Sequence, residues 1–274
     1  MEILKEISGL LSRVKKEKPL VHHITNYVTA ADSANILLAL GGTPVMADNQ
    51  AEVEEVISSA SALVLNLGTL NPAKLEAMII AGKRAKEISI PVVLDPVGVG
   101  ATALRKNAAN RILTEIGPTV IRGNMSEMRV IFGVKAEAKG VEALDTIAGG
   151  ERLAVDLARS LGCVIGITGV KDVVSDGRRI SIIENGNDML PRVTGTGCMS
   201  ASLIGAYSAV ADDYYLSTVA GILTMGLAGD LALNSLKETE GIGTFRLRLF
   251  DSVGSLSERE IINEGKVSNK KIRL

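Results

Sequence analysis

Short apolar runs alternate along this chain with longer segments of helical spacing. The runs are apolar at nearly every position, which is typical of parallel strands buried on both faces. They lie at 20–24, 62–66, 91–95, 119–122 and 163–168. Helices are expected around them at 3–14, 30–40, 52–60, 72–88, 102–116, 141–161 and 199–210. This alternation predicts an α/β fold, a three-layer α/β/α sandwich with a mostly parallel central sheet.

The composition narrows the classes of function. The 274 residues carry a formal net charge of -1 and include three Phe, four Tyr and no Trp. Nucleic-acid binding through charge and base stacking therefore has little to rest on, and we expect no nucleic-acid partner. No Pro- or Ser-rich linker interrupts the sequence, so we expect a single domain over 1–274.

The number of cysteines and the pattern of the apolar segments indicate in which compartment of the cell the protein is found. Cys163 and Cys198 are too few for a disulfide framework and fit a reducing environment. The apolar region 198–236 is interrupted by aspartates, so it is not expected to span a membrane. The first residues lack the apolar core of a secretory signal. We expect a cytoplasmic protein with no membrane partner.

Chemically useful residues stand where the predicted strands end. Asn66, Asp95, Arg122 and Thr168 each close an apolar run. Ligands of open α/β sheets bind outside the carboxyl ends of the strands, so these side chains are expected to converge. An acid, a guanidinium and a hydroxyl suit magnesium and nucleotide phosphates. Asp95 before a proline, or Thr168 before a glycine, could equally form a simple turn.

A glycine turn precedes the last of these helices. The stretch 193–198 reads Val-Thr-Gly-Thr-Gly-Cys. Its two glycines, Gly195 and Gly197, permit a sharp turn with outward N–H groups, and the following helix directs the positive end of its dipole to the same place. The turn is thus expected to bind an anion such as a phosphate. A tight turn without function has the same pattern.

Three other kinds of site are not expected in this sequence: a dinucleotide-binding turn, a P-loop and a zinc site. The stretch 98–103 fits a G-x-G-x-x-A dinucleotide fingerprint, but it does not follow the first strand, and no acid-ended strand stands about 20 residues further on. There is no G-x-x-x-x-G-K-[ST] sequence, which excludes a P-loop kinase. His22 and His23 point to opposite faces of one strand and lack the partners of a zinc site.

Seven segments together carry a family resemblance. They are 23–28, 41–47, 65–69, 94–101, 122–127, 168–169 and 194–198. In this order the chain resembles the hydroxyethylthiazole kinases, thiamine-salvage members of the ribokinase-like superfamily. The resemblance implies transfer of the ATP γ-phosphate to the primary hydroxyl of 4-methyl-5-(2-hydroxyethyl)thiazole, with Mg²⁺. It also implies a homotrimer with the thiazole sites at the subunit boundaries.

The resemblance also implies roles for individual residues. The expected ATP-binding residues are Arg122, Thr168 and Asn124. The residues expected around the metal are Glu127 and Asp95. The residues expected around the thiazole are Asn26, Met46 and Gly195. Glu127 could instead be a first-turn acid that offsets a helix dipole, and Met46 could be an ordinary core residue.

Cys198 departs from the wider superfamily, in which an Asp at this point accepts the proton of the acceptor hydroxyl. The resemblance to thiazole kinases allows either Asp or Cys at this position. A helix N-terminus lowers the pKa of a cysteine, so we expect a partly ionised thiol that acts as general base. The alternative is a small helix residue that leaves room for the substrate.

Two further functions stay open. A kinase of the same fold could phosphorylate another small alcohol, such as hydroxymethylpyrimidine, although the segments around Asn26 and Met46 favour the thiazole. The chain could also be a non-catalytic nucleotide-binding regulator, although Asp95, Arg122 and Glu127 are all present.

Overall fold

The computed structural model describes residues 2–135 and 147–270. Within these ranges the strands are β1 (Leu20–Ile24), β2 (Thr43–Met46), β3 (Ala62–Asn66), β4 (Val92–Asp95), β5 (Val120–Asn124), β6 (Val164–Thr168), β7 (Asp172–Ser175), β8 (Ile180–Ile183) and β9 (Val267–Lys270). The helices are α1 (Glu2–Glu17), α2 (Ala30–Leu40), α3 (Val53–Ser59), α4 (Pro72–Glu87), α5 (Ala103–Glu115), α6 (Met125–Lys135), α7 (Ile147–Leu161), α8 (Thr196–Val210), α9 (Tyr214–Asn234), α10 (Ile242–Ser255) and α11 (Glu258–Glu264).

All of these strands form one sheet in the order β2-β1-β3-β4-β5-β6-β7-β8-β9. The neighbours from β2 to β6 pair in parallel. The neighbours from β6 to β9 are antiparallel. The predicted mostly parallel sheet is therefore confirmed, with an antiparallel extension on one side.

Helices cover both faces of the sheet. Alternate strand residues point to opposite sides, so Val64 and Val93 join a core formed with α1, α2 and α8 to α11. Leu63, Leu65 and Leu94 join a second core, formed with α3 to α7. The expected three-layer α/β/α arrangement is thereby confirmed.

The predicted elements differ from the observed ones mainly at the sheet edges. The runs 20–24 and 62–66 and the helix 30–40 have the predicted bounds. The strands β2, β7, β8 and β9, of four residues each, were not predicted from the apolar runs. The predicted helix 141–161 is observed from Ile147, and its first six positions lie outside the described residues.

The helix α9 is long and apolar enough to cross a membrane, yet 78% of its most apolar stretch is buried inside the protein. It packs extensively on α8, and the two helices approach closely at Gly221. A Cβ atom at Gly221 would lie 2.5 Å from Ile204 Cγ1 and 2.7 Å from the Ile204 backbone nitrogen. The absence of a side chain at Gly221 thus permits this packing of α8 on α9.

We expect Gly221→Ala to lower the free energy of unfolding by about 1–3 kcal/mol, because the added methyl group overpacks a rigid backbone contact. Gly9→Ala is the matched control, since Gly9 is exposed within α1 and a Cβ there meets nothing within 4 Å. That control should gain about 0.5–1 kcal/mol from helix propensity. Urea unfolding measures both, and equal effects of the two variants would contradict the close approach.

Candidate active site

The carboxyl ends of the parallel strands bring the predicted residues to one edge of the sheet. In the strand register Asn66 is paired with Asp95, and Asn124 with Thr168. Arg122, on β5, donates from Nη2 to Thr168 Oγ1 at 2.7 Å, and its Nη1 lies 4.0 Å from Asp95 Oδ1. The structure thus joins the guanidinium to both the hydroxyl and the acid that were predicted beside it.

Asp95 is fully buried at the end of β4. Its Oδ2 accepts a hydrogen bond from Asn66 Nδ2 at 2.7 Å. Its Oδ1 accepts none from any residue that the structure describes. Burial raises the pKa of Asp95 to about 6, although the nearby Arg122 charge opposes this shift. The carboxyl therefore titrates near neutral pH and offers one free oxygen.

Cys198 lies in the first turn of α8, as expected from the glycine turn. Its Sγ accepts from Asn66 Nδ2 at 3.2 Å and from Asn26 Nδ2 at 3.5 Å. The expected lowering of its pKa is wrong, because burial and the neighbouring Asp95 charge raise the pKa of the thiol. Hydrogen bonds with Thr29 and with the amides of Asn66 and Asn26 oppose this rise without reversing it, so desolvation outweighs the position at a helix start.

Both glycines of the turn are required by close contacts. Gly195 directly precedes α8 with φ +93°, and a Cβ there would lie 2.7 Å from Thr29 Cγ2. A Cβ at Gly197 would lie 2.5 Å from Arg122 Nη1. Among the described residues, no side chain caps the start of α8. Its N–H groups and the Arg122 guanidinium therefore converge on one electropositive spot.

A cavity of about 420 Å³ opens at this spot. It is bordered by Arg122, Thr168 and Gly197, and its other side is formed by the loop 185–188 and by α9. The linings from that other side include Asn185, Asn187, Asp188, Ile222 and Met225. Asn26, Met46 and Cys198 are not among the lining residues. The cavity is thus on the phosphate side of the site, and its volume falls in the range of small-molecule pockets.

Several residues of this site were missed by sequence reasoning. Asp172 borders the cavity at the start of β7, and burial raises its pKa to about 7. Ile222 and Met225 come from the middle of α9, which had the pattern of a core helix. The acid four residues beyond Thr168 was a usable signal. No local sequence signal identifies the α9 residues, because whether they border the cavity depends on how α9 packs.

Asn124 and Glu127 form a closed pair at the start of α6. Asn124 Oδ1 accepts from the Glu127 N–H at 2.9 Å, and Glu127 Oε2 accepts from the Asn124 N–H at 2.9 Å. Glu127 Oε1 accepts from the Gly98 N–H at 3.0 Å. Glu127 thereby ties the loop after β4 to the start of α6, and its charge also acts on Asp95.

Asn26 and Met46 differ in burial. Asn26 is buried, and its Oδ1 accepts from both the N–H and the hydroxyl of Thr29, at 3.0 and 3.1 Å. Its Nδ2 donates to Asn66 Oδ1 at 3.0 Å. Its polar atoms are therefore already engaged within the chain. Met46 ends the outer strand β2 and is 39% exposed, so it belongs to the surface.

The site offers few metal ligands of its own. Among residues 2–135 and 147–270, no group of three or more His, Cys, Asp or Glu side chains could hold a metal ion. The unpartnered Asp95 Oδ1 is a fitting oxygen ligand for a hard divalent cation. This sparse arrangement fits Mg²⁺, which keeps most of its ligands from water and substrate phosphates.

Comparisons with known proteins complete the description. The profile of the hydroxyethylthiazole kinase family matches residues 11–259. A hydroxyethylthiazole kinase of Alkaliphilus oremlandii is 48% identical over 268 residues, which cover 97% of this chain and 99% of that protein.

Solved structures agree with this match. The structure of hydroxyethylthiazole kinase protein from Pyrococcus horikoshii OT3 has a TM-score of 0.90 at 38% identity, covering 97% of this chain and 100% of that one. A ribokinase-like superfamily protein of Enterococcus faecalis has a TM-score of 0.64 at 12% identity, covering 92% and 95%, which shows a shared fold alone. By sequence and by structure, the chain belongs to the hydroxyethylthiazole kinase family and has the ribokinase-like fold.

Proposed function

We propose that this protein, as a single kinase domain, transfers the γ-phosphate of ATP to the primary hydroxyl of 4-methyl-5-(2-hydroxyethyl)thiazole. The product is a thiazole phosphate for thiamine synthesis. Membership of the family supports the reaction. One geometric observation carries it, namely that a cavity of about 420 Å³ meets the uncapped start of α8 beside Arg122. Such a place binds transferring phosphate without a P-loop.

The charge of the transferred phosphate is held by Arg122 and by the N–H groups at the start of α8. Thr168 accepts from Arg122 Nη2 at 2.7 Å and so fixes the plane of the guanidinium. Asn124, exposed at the end of β5, contributes to the ATP side. Because these groups are held before the reaction, they stabilise charge that develops in the transition state.

Asp95 would hold Mg²⁺ through its unpartnered oxygen, and Glu127 would act from the first turn of α6, mainly through water. Both oxygens of Glu127 already accept backbone N–H groups, which favours an indirect role. Mg²⁺ when bound neutralises phosphate charge. The burial that raises the pKa of Asp95 also makes a nearby cation favourable.

The thiazole binds on the other side of Gly195, near Asn26 and Met46. Met46 stands with other exposed apolar residues at this edge, among them Tyr27 (80% exposed) and Val28 (61% exposed). Such exposure at the sheet edge supports a pocket completed by a neighbouring subunit, as in the expected homotrimer. The burial of α9 and the two free cysteines support a cytoplasmic location.

Cys198 lies beside the acceptor hydroxyl and receives its proton or positions it. The raised pKa keeps the thiol mainly protonated at neutral pH, so it is a weaker base than expected from its position at a helix start. Phosphoryl transfer depends mainly on positioning and on charge stabilisation, so a weak base suffices.

The reaction itself is tested by ADP release from Mg-ATP with the purified protein. We expect release with hydroxyethylmethylthiazole and none with hydroxymethylpyrimidine. Release with the pyrimidine alone would retain the phosphate site and overturn the substrate. If folded protein that still binds ATP releases no ADP with either alcohol, the result would favour a non-catalytic regulator.

Variants of Cys198 test its role. Cys198→Asp is expected to keep or raise kcat, because a carboxylate accepts a proton more readily than a protonated thiol. Cys198→Ser is expected to lower kcat modestly. Steady-state kinetics measure both. A Cys198→Ala variant that equals the wild type would show that no base acts at this position.

The raised pKa of Asp95 predicts a pH-dependent stability. Between the unfolded value near 4 and about 6, the folded state binds more protons, so rising pH destabilises the wild type through this group. Relative to Asp95→Asn, the wild type should lose about 2 kcal/mol of unfolding free energy between pH 4 and pH 7, since the unfolded carboxyl is already partly ionised at pH 4. Urea titrations of both proteins at a series of pH values measure this. A difference that is constant with pH would contradict the raised pKa.

A further inference from the structure

Asn66 is the residue through which the reactive groups of the site are connected. It ends β3 and is 1% exposed. Its Nδ2 donates to Asp95 Oδ2 at 2.7 Å and to Cys198 Sγ at 3.2 Å. Its Oδ1 accepts from Asn26 Nδ2 at 3.0 Å and from the Gly68 N–H at 2.9 Å. All four hydrogen-bonding positions of the amide are therefore used.

The orientation of this amide is fixed by its partners. The Gly68 N–H can only donate, so it must face the Asn66 oxygen. A carboxylate can only accept, so Asp95 must face the Asn66 nitrogen. A flipped amide would place oxygen against oxygen and nitrogen against N–H. The two N–H bonds of Asn66 are thus directed to Asp95 and to the sulfur of Cys198.

The surroundings leave little room for another arrangement. A Cβ at Gly68 would lie 2.7 Å from Asn26 Cβ and 2.9 Å from Asn66 Oδ1. Asn26 is held in turn by the backbone and hydroxyl of Thr29, and it donates a second bond to Cys198 Sγ. The sulfur therefore receives two N–H donors from fixed amides, and Asn66 bridges it to the Asp95 carboxyl.

We propose that Asn66 is a positioning residue for phosphoryl transfer, which holds the Cys198 sulfur in its working position while its bond to Asp95 Oδ2 orients the amide. This inference rests on the proposed kinase reaction and on the place of Cys198 beside the acceptor hydroxyl. Asn66 does not contact Arg122 through any hydrogen bond among the described residues, and it does not border the cavity on the phosphate side. Its Nδ2 bonds to Asp95 Oδ2 and not to Oδ1, the oxygen proposed for Mg²⁺, so we place its effect on kcat with Cys198, on the acceptor side of the site.

An effect on the acceptor side alone distinguishes a positioning role of Asn66 from a merely structural one. Loss of a positioning residue lowers kcat and leaves the KM for Mg-ATP within about threefold of the wild type. Loss of a structural residue lowers the melting temperature and disturbs both sides of the site together. A residue that acts through Cys198 also has little left to lose once Cys198 has been removed.

The test is a double-mutant cycle of Asn66→Ala and Cys198→Ala in the full chain. We expect Asn66→Ala to lower kcat about tenfold, less than the roughly 10²–10⁴-fold typical of losing a general base, because the Cys198 sulfur itself stays in the site. In the Cys198→Ala background the same change should alter kcat by less than about threefold. An equal loss in both backgrounds, or a loss of less than about twofold in the wild type, would overturn the proposal.

A second variant serves if Asn66→Ala does not fold. Asn66→Asp keeps the shape and the acceptor for Gly68, but it removes both N–H donors and places a carboxylate next to Asp95. Its matched control is Asn110→Asp, the same change at an exposed position of α5. We expect the kcat loss only at Asn66, and an equal loss at both positions would overturn the proposal. Failure of the proposed reaction would be seen earlier, as a wild-type protein that does not phosphorylate the thiazole.

Discussion

The parallel register of the central strands determines where every group of the site stands. Asn66 is paired with Asp95, and Asn124 with Thr168, because β3 to β6 run side by side in one direction. Apolar side chains on both faces fix this register, since a slip by one residue would turn each of them to the opposite face. The chemistry at the carboxyl edge is therefore a consequence of packing in the two cores, one of which reaches the cavity through Ile222 and Met225.

The packing of the protein keeps the Asp95 carboxyl buried although this burial is electrostatically unfavourable. Asp95 is fully buried, and Arg122 at 4.0 Å offsets only part of the unfavourable burial, because the pKa of the carboxyl stays raised. A Cβ at Gly197 would lie 2.5 Å from Arg122 Nη1, so the bare glycine leaves room for the guanidinium at the start of α8. Asp95 Oδ1, which has no hydrogen-bond partner among the described residues, thus lies 4.0 Å from the guanidinium beside the uncapped helix start, and its buried charge is only partly compensated.

Local signals predicted most of the fold, and tertiary placement decided what was missed. The helix 30–40 and the strand 62–66 were predicted with their observed bounds, because periodicity and apolar runs are local properties. The strand Asp172–Ser175 was missed because its burial comes from pairing with its neighbours across the sheet. The sequence located Cys198 in the first turn of a helix, yet the direction of its pKa shift depends on burial, which no local pattern records. The role of Asn66 required four partners from distant segments.

The outer strand β2 has a consequence for how such molecules can associate. Thr43 donates its N–H inward to Pro19 O at 2.9 Å, so the nitrogen of the next residue, Pro44, faces the open edge of the sheet. Proline has no N–H to offer there, and the strand has only four residues. A strand from another molecule would find an incomplete ladder at this edge. Copies of this chain can therefore meet along β2 by side-chain contact, while sheet extension and the aggregation that follows from it are disfavoured.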